Sequence, residues 1–208
     1  MAAVAAATLY AVMWMGFALR WKWLQAIDSA LMDPLHAYGL KHPSWVRFWD
    51  VLCTVLGPEA FQLIGAAVVV VAVLRRHLRA VLFVLMTMEL NGVVAQAGKD
   101  LAGRTRPPGA LIAGTSSAFP SGHAVAVMAG VLTLLTVSAG LLTPRARIVA
   151  AVIGAIVVLA VGVGRVVLNV HYPSDVVAGW ALGYLWFLVC LVVTRPGNKV
   201  AEGVEDRV

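Results

Sequence analysis

From Ala124 to Pro144 the chain passes through 21 consecutive residues without one Asp, Glu, Lys, Arg or His. It does so again over 17 residues from Ile148 to Gly164 and over 19 from Val176 to Thr194. A helix rises ~1.5 Å per residue, so about 20 apolar residues cross the ~30 Å hydrocarbon layer of a bilayer. The whole chain is 61% hydrophobic and 12% charged, whereas a soluble domain carries about 45–50% apolar and about 25% charged residues. These proportions exclude a disordered chain and a water-soluble globule, and predict an all-α integral membrane protein.

Six apolar runs can be marked out: Ala2–Leu19, Val51–Leu74 (interrupted by Gly57-Pro58-Glu59), Ala80 to about Gly98, Ser121 to about Leu142, Ile148 to about Leu168, and Asp175–Thr194. The expected architecture is a six-transmembrane-helix bundle forming one domain over residues 1–197, with a disordered cytoplasmic tail over 198–208. The first run is Ala-rich and lacks a basic segment before it, so it reads as a retained anchor rather than a cleaved leader. Trp14, Trp21 and Trp23 gather near its end, where aromatic side chains suit a membrane–water boundary. Residues 20–50 mix Asp, Lys and His with Trp and Leu and predict one or two interfacial amphipathic helices.

Sixteen Lys and Arg against ten Asp and Glu give a net charge of +6, but the basic residues sit singly or in pairs between apolar runs. That pattern marks membrane topology and excludes a nucleic-acid footprint. Three arginines fall within residues 75–79 and two within 143–147, and Arg195 and Lys199 follow the last run. These segments share one side of a six-span topology and are expected to be cytoplasmic, with both termini. Arg20 and Lys22 oppose that orientation. Residues 20–50, 99–120 and 165–175 then face outward. Cys53 and Cys190 lie in apolar stretches and read as buried free thiols.

The outward segments hold the polar residues that hydropathy does not explain. Residues 99–120 contain three basic residues, three prolines and three glycines, a composition of loops that carry function. Lys99 and Arg106 offer fixed positive charge, and arginine adds a planar fork suited to phosphate. Ser121 and Gly122 precede a helix whose free N–H groups favour an anion, and His123 in its first turn can carry a proton. Arg165, His171 and Asp175 offer a further anion ligand, a nucleophile, and a carboxylate to orient the imidazole. Taken singly, each group has a plain structural reading as a snorkelling cation, an N-cap or an acidic first turn. Taken together on one membrane face, they suit phosphoryl transfer. Metal binding is poorly served, for there is no Cys pair, His-x-x-x-His or carboxylate cluster.

Lys-x6-Arg-Pro (99–107), Pro-Ser-Gly-His (120–123) and Arg-x5-His-x3-Asp (165–175) resemble, in order, the three signature motifs of the type 2 phosphatidic acid phosphatases. The resemblance implies that Lys99, Arg106 and Arg165 hold the phosphate with Ser121 and Gly122, and that His171 forms a phosphohistidine, assisted by Asp175. It further implies that His123 protonates the leaving group and that no metal or other cofactor takes part. The third motif of that family usually begins Ser-Arg; here it is Gly164-Arg165.

Glu59 and Glu89 fall within expected spans, where a carboxylate is costly and often functional. Asn169 and Tyr172 flank His171 as potential supporting donors, and Gly179-x-x-x-Gly183 permits close helix packing. The expected protein is a bacterial cytoplasmic-membrane lipid phosphatase with an extracytoplasmic site. Its partners would be bilayer lipids and a lipid phosphate or pyrophosphate substrate. The first expectation is a polyprenyl (undecaprenyl or decaprenyl) pyrophosphate; phosphatidylglycerophosphate and phosphatidic acid are alternatives. A lipid phosphotransferase and a non-catalytic lipid binder are the rival classes, and the intact His123, His171 and Asp175 set argues against the binder.

Overall fold

A computed structural model describes residues 1–113 and 116–194. Nine α-helices order the described residues: α1 (Ala2–Ala18), α2 (Lys22–Lys41), α3 (Pro43–Val55), α4 (Pro58–Leu74), α5 (Leu78–Val84), α6 (Asn91–Ala102), α7 (Gly122–Ser138), α8 (Pro144–Val167) and α9 (Pro173–Thr194). A π-helical turn, Leu85–Glu89, joins α5 to α6. The expected tail over 198–208, and the Arg195 and Lys199 used in the orientation argument, lie outside the described residues.

Local chemistry sets the helix boundaries. Proline occupies the first turn of α3, α4 and α8, where its missing N–H has no helical role. The Thr143 hydroxyl caps α8 by accepting from the Ala146 N–H at 3.3 Å. Gly103 ends α6 in the left-handed conformation at φ 58°, which costs least where there is no Cβ. Arg20 takes a left-handed φ of 53°, and there the chain turns by 94° from α1 into α2. The expected amphipathic segment is thus two helices, α2 and α3.

Among the described residues, four stretches are long and apolar enough to cross a membrane: Pro43–Leu74, Leu78–Ala102, Pro144–Val167 and Pro173–Thr194. The bent pair α1–α2 raises the number to five. The chain is therefore an all-helical integral membrane protein, and the expected count of six is not reached by length and composition alone. The shortfall is α7, whose 17 residues span only ~25 Å. The second expected run begins earlier than its hydropathy indicates, because α3 continues into α4.

The lipid-facing surface is legible on α8, where Ile148, Val152, Ile156, Leu159 and Val163 are exposed at helical spacing. Inside, α9 packs against α1 and α7. A Cβ placed on Gly179 would stand 2.7 Å from the Ser121 carbonyl oxygen, and one on Gly183 2.5 Å from that of Val125. The small pair therefore serves packing within the bundle, and it seats α9 against the start of α7. Cys53 and Cys190 are free and buried. Because the helices alternate in direction, the ends of α6 and α8 and the starts of α7 and α9 meet at one end of the bundle. The basic turns at 75–79 and 143–147 lie at the other.

Candidate active site

At that end the three motif segments converge. The Leu168–Tyr172 turn carries His171, which is 1% exposed. Asn169 makes the turn possible by adopting a left-handed φ of 55°, a conformation Asn tolerates. Its side-chain amide donates to the Pro108 carbonyl at 2.8 Å, so Asn169 ties this turn to the 103–121 loop instead of supporting the imidazole. The Leu111 N–H, donating to Leu168 O at 3.0 Å, makes a second tie.

His171 Nδ1 lies 2.7 Å from the Ala118 carbonyl oxygen and 3.8 Å from Asp175 Oδ2. A carbonyl only accepts, so Nδ1 carries the proton and the Nε2 lone pair is left for chemistry. The short bond expected from Asp175 is thus made by Ala118; Asp175 stands one step back, where it opposes positive charge on the ring. Burial holds the His171 imidazole below its ordinary range, with Asp175 pulling in the other direction. Burial is the larger of the two effects, so the imidazole favours its neutral form.

The three cations Lys99, Arg106 and Arg165 lie within electrostatic reach of one another. Lys99 Nζ donates to Ser116 Oγ at 2.7 Å. Arg106 donates through Nε to Ser116 O at 2.8 Å, through one terminal nitrogen to Ser116 Oγ at 3.1 Å, and through the other to Val170 O at 3.1 Å. A Cβ on Gly122 would fall 3.8 Å from Lys99 Cε, so the bare backbone opens the start of α7 to the lysine. Ser121 heads α7 without capping it; its hydroxyl is buried and, among the described residues, has no hydrogen-bond partner, and the same holds for Arg165 Nε. His123 lies within electrostatic reach of Lys99, Arg106, Arg165 and His171. Buried donors without partners are costly. Ser121 Oγ and Arg165 Nε, with Lys99, Arg106 and the first-turn N–H groups of α7, make a donor set whose chemistry suits a tetrahedral oxyanion. Among the described residues no group of three or more His, Cys, Asp or Glu could hold a metal ion.

Three participants escape sequence reasoning. Arg104, inside the first motif, is buried between Asp28 of α2 and Asp175. Ser116 bridges Lys99 and Arg106. Cys53 explains the departure at Gly164, for a Cβ there would meet Cys53 Sγ at 2.5 Å and the Trp49 ring at 3.0 Å. The thiol, bonded to the Val161 carbonyl at 3.7 Å, stands beside the Arg165 guanidinium. Gly164→Ser alone is therefore expected to cost about 1–3 kcal/mol by overpacking, and Cys53→Ala in the same chain to recover part of it; thermal midpoints of the wild-type chain and the two variants check this.

Tyr172 contributes by its backbone N–H, which donates to Asp175 Oδ2 at 2.8 Å, and by its ring, 3.9 Å from the Arg104 guanidinium carbon. Glu89 ends the π turn with one buried, unpaired carboxyl oxygen facing Gly65 of α4. Glu59 is exposed in the first turn of α4, where the helix dipole favours it.

Comparison with known proteins follows this geometry. A family model described as the PAP2 superfamily matches residues 80–198. The chain is 32% identical over 175 residues to the lipid A 1-phosphatase of Rhizobium johnstonii, covering 76% of this chain and 66% of that protein. It is 38% identical over 90 residues to an undecaprenyl-diphosphatase of Sulfolobus acidocaldarius, covering 42% and 40%. It is 33% identical over 112 residues to phosphatidylglycerophosphatase B of Bacillus subtilis, covering 52% and 55%. The matches thus span 40–66% of these relatives' own lengths. The crystal structure of a transmembrane PAP2-type phosphatidylglycerolphosphate phosphatase from Bacillus subtilis shares the fold, with a TM-score of 0.77 at 20% identity over 93% of this chain and 96% of that one.

Proposed function

Because the chain belongs to the PAP2 superfamily, we propose that it is a membrane lipid phosphatase acting through a phosphohistidine on His171. The observation that carries this reading is the pair of buried donors without a partner among the described residues, Ser121 Oγ and Arg165 Nε, where Lys99, Arg106, Arg165 and His171 all act electrostatically on His123. In the first step Nε2 of His171 attacks phosphorus and the bond to the leaving oxygen breaks, with His123 giving that oxygen its proton. Lys99, Arg106, Arg165, Ser121 and the N–H groups around Gly122 neutralise the equatorial oxygens. Asp175 opposes the charge gained by the imidazole. In the second step His123 takes a proton from water, which attacks phosphorus, breaks the N–P bond and releases phosphate.

The bundle is one six-span domain over residues 1–197. Helix α7, although short, is packed among α4, α6, α8 and α9 and crosses with them. Helix α2 lies in the interface, the site faces the extracytoplasmic side of a bacterial cytoplasmic membrane, and both termini are cytoplasmic. The first substrate is a polyprenyl pyrophosphate, a reading supported by the 38% identical stretch shared with an undecaprenyl-diphosphatase.

Purified protein in detergent with excess chelator tests the reaction and the substrate together. The panel contains undecaprenyl pyrophosphate, phosphatidylglycerophosphate, phosphatidic acid and lipid A 1-phosphate. Phosphate release is expected in chelator, fastest on the first lipid; label passing to added acceptor lipid instead of water would mark a phosphotransferase. Each of Lys99→Ala, Arg106→Ala and Arg165→Ala is expected to lower turnover by at least ~100-fold, as loss of one oxyanion donor does in other hydrolases. Near-normal rates in all three would remove the phosphate cradle.

A further inference from the structure

Behind the reacting face, Asp175 is joined to two charges that the chemical steps leave unused, Arg104 and Asp28. Arg104 is 8% exposed, Asp28 2% and Asp175 0%. One terminal nitrogen of Arg104 donates to Asp28 Oδ2 at 2.9 Å; the other donates to Asp175 Oδ1 at 2.5 Å and to Ser174 Oγ at 2.8 Å. Ser174 closes the ring, its N–H donating to Asp28 Oδ1 at 2.9 Å and its hydroxyl to Asp28 Oδ2 at 2.7 Å. The guanidinium packs between Tyr172 and Phe17, 3.9 and 5.0 Å from the ring centroids. The turn at Arg20 brings Asp28 over this point from α2, a helix whose pattern reads simply as amphipathic.

We propose that Arg104 and Asp28 are positioning residues that fix the Asp175 carboxylate beside His171, making α2 part of the catalytic apparatus. This rests on the phosphatase reading. A buried carboxylate holds its place only when its lone pairs are satisfied, and Asp175 has Arg104 on Oδ1 and the Tyr172 N–H on Oδ2. Two carboxylates and one guanidinium leave the cluster one negative charge. When the N–P bond forms at Nε2, the His171 ring keeps its Nδ1 proton and becomes cationic, and this negative charge faces it. Lys99, Arg106 and Arg165 serve the opposite pole, the phosphoryl oxygens. Losing Asp28 would leave Arg104 and Asp175 as a neutral pair, with no net charge to face the ring. Losing Arg104 would leave two buried like charges with no cation between them.

The experiment compares the wild-type chain with Asp28→Asn, Arg104→Gln and Asp28→Glu, using undecaprenyl pyrophosphate in detergent micelles. It reads kcat, KM, the acidic limb of kcat/KM against pH, and the imidazole ¹⁵N shifts of His171, identified by their loss in His171→Ala. The groups facing His171 are Asp175 from α9, Arg165 from α8, Arg106 from the loop and His123 from α7, and none is altered. Asp28→Asn removes a negative charge and is expected to move the limb to lower pH. Arg104→Gln removes a positive charge and is expected to move it to higher pH. Each is expected to lower kcat by about 10- to 100-fold, the usual loss when a group orienting a reacting ligand is removed, with KM little changed. Asp28→Glu should restore the limb.

Damage to folding alone lowers the active fraction and leaves the limb in place. Limbs that do not move, or that move in the same direction in both variants, would overturn the relay. If Arg104→Gln does not fold, Asp28→Asn, which keeps the side-chain shape, decides with its Asp28→Glu partner. If the wild-type chain hydrolyses no lipid, the phosphatase reading fails, and the ¹⁵N titration of His171 alone decides whether Asp28 and Arg104 act on the imidazole.

Discussion

His171→Ala is expected to lose at least about 10⁴-fold in kcat while still binding a phosphate analogue, because removing a covalent nucleophile leaves only the contribution of the surrounding electrostatic site. The Ala118 carbonyl holds the proton on Nδ1, so the reactive lone pair is committed to Nε2 before substrate arrives. Burial keeps that ring neutral, which removes the usual loss of nucleophile to protonation near neutral pH. His123 does not take over in the proposed mechanism, for it sits at the start of α7 and is assigned there to the leaving group. Two measurements check this: phosphate release from the preferred lipid, and quenched wild-type enzyme examined for a phosphoryl group that is stable in base and labile in acid. The variant should show neither. Turnover within tenfold of wild type would remove His171 as the nucleophile, whatever its neighbours do.

The membrane character and the three motif segments were legible because each rests on a signal local in sequence. A run of apolar residues needs no partner to be recognised, and Lys99–Pro107, Pro120–His123 and Arg165–Asp175 each sit within a dozen residues. What escaped depends on contacts between distant segments. Asp28 and Arg104 are 76 positions apart, and on a helix with alternating polar and apolar faces Asp28 looks like any solvated carboxylate. Asn169 and Tyr172 were singled out correctly as neighbours of His171 but given a direction that spacing cannot supply. Asn169 reaches Pro108, and Tyr172 acts through its backbone and Arg104. The meaning of Gly164 required Cys53 on another helix. The span count differs for another reason: the apolar run from Ser121 to about Leu142 reads as a span, whereas α7 itself has 17 residues and is short for a bilayer by length alone.

His123→Ala is expected to divide the lipid panel by leaving group. Hydrolysis of a phosphate monoester such as phosphatidylglycerophosphate expels an alkoxide, whose conjugate acid is nearly as weak as water. Expulsion without a proton is then very slow, and loss of the general acid should cost about 10²- to 10⁴-fold in kcat/KM. A polyprenyl pyrophosphate expels a phosphate monoester instead, a group whose last proton has a pKa of only ~6. It leaves as an anion with little help, so the same substitution should cost less than about tenfold. The ratio kcat/KM is the quantity to compare, since it reports steps up to phosphoryl transfer. The hydrolysis of phosphohistidine, where His123 acts on water whatever the lipid, enters kcat alone. Equal losses in kcat/KM on both substrates would mean that His123 contributes to phosphate binding and not to the leaving oxygen. A selective loss on the monoester would assign the proton, and would show which of the two lipid classes this site hydrolyses without it.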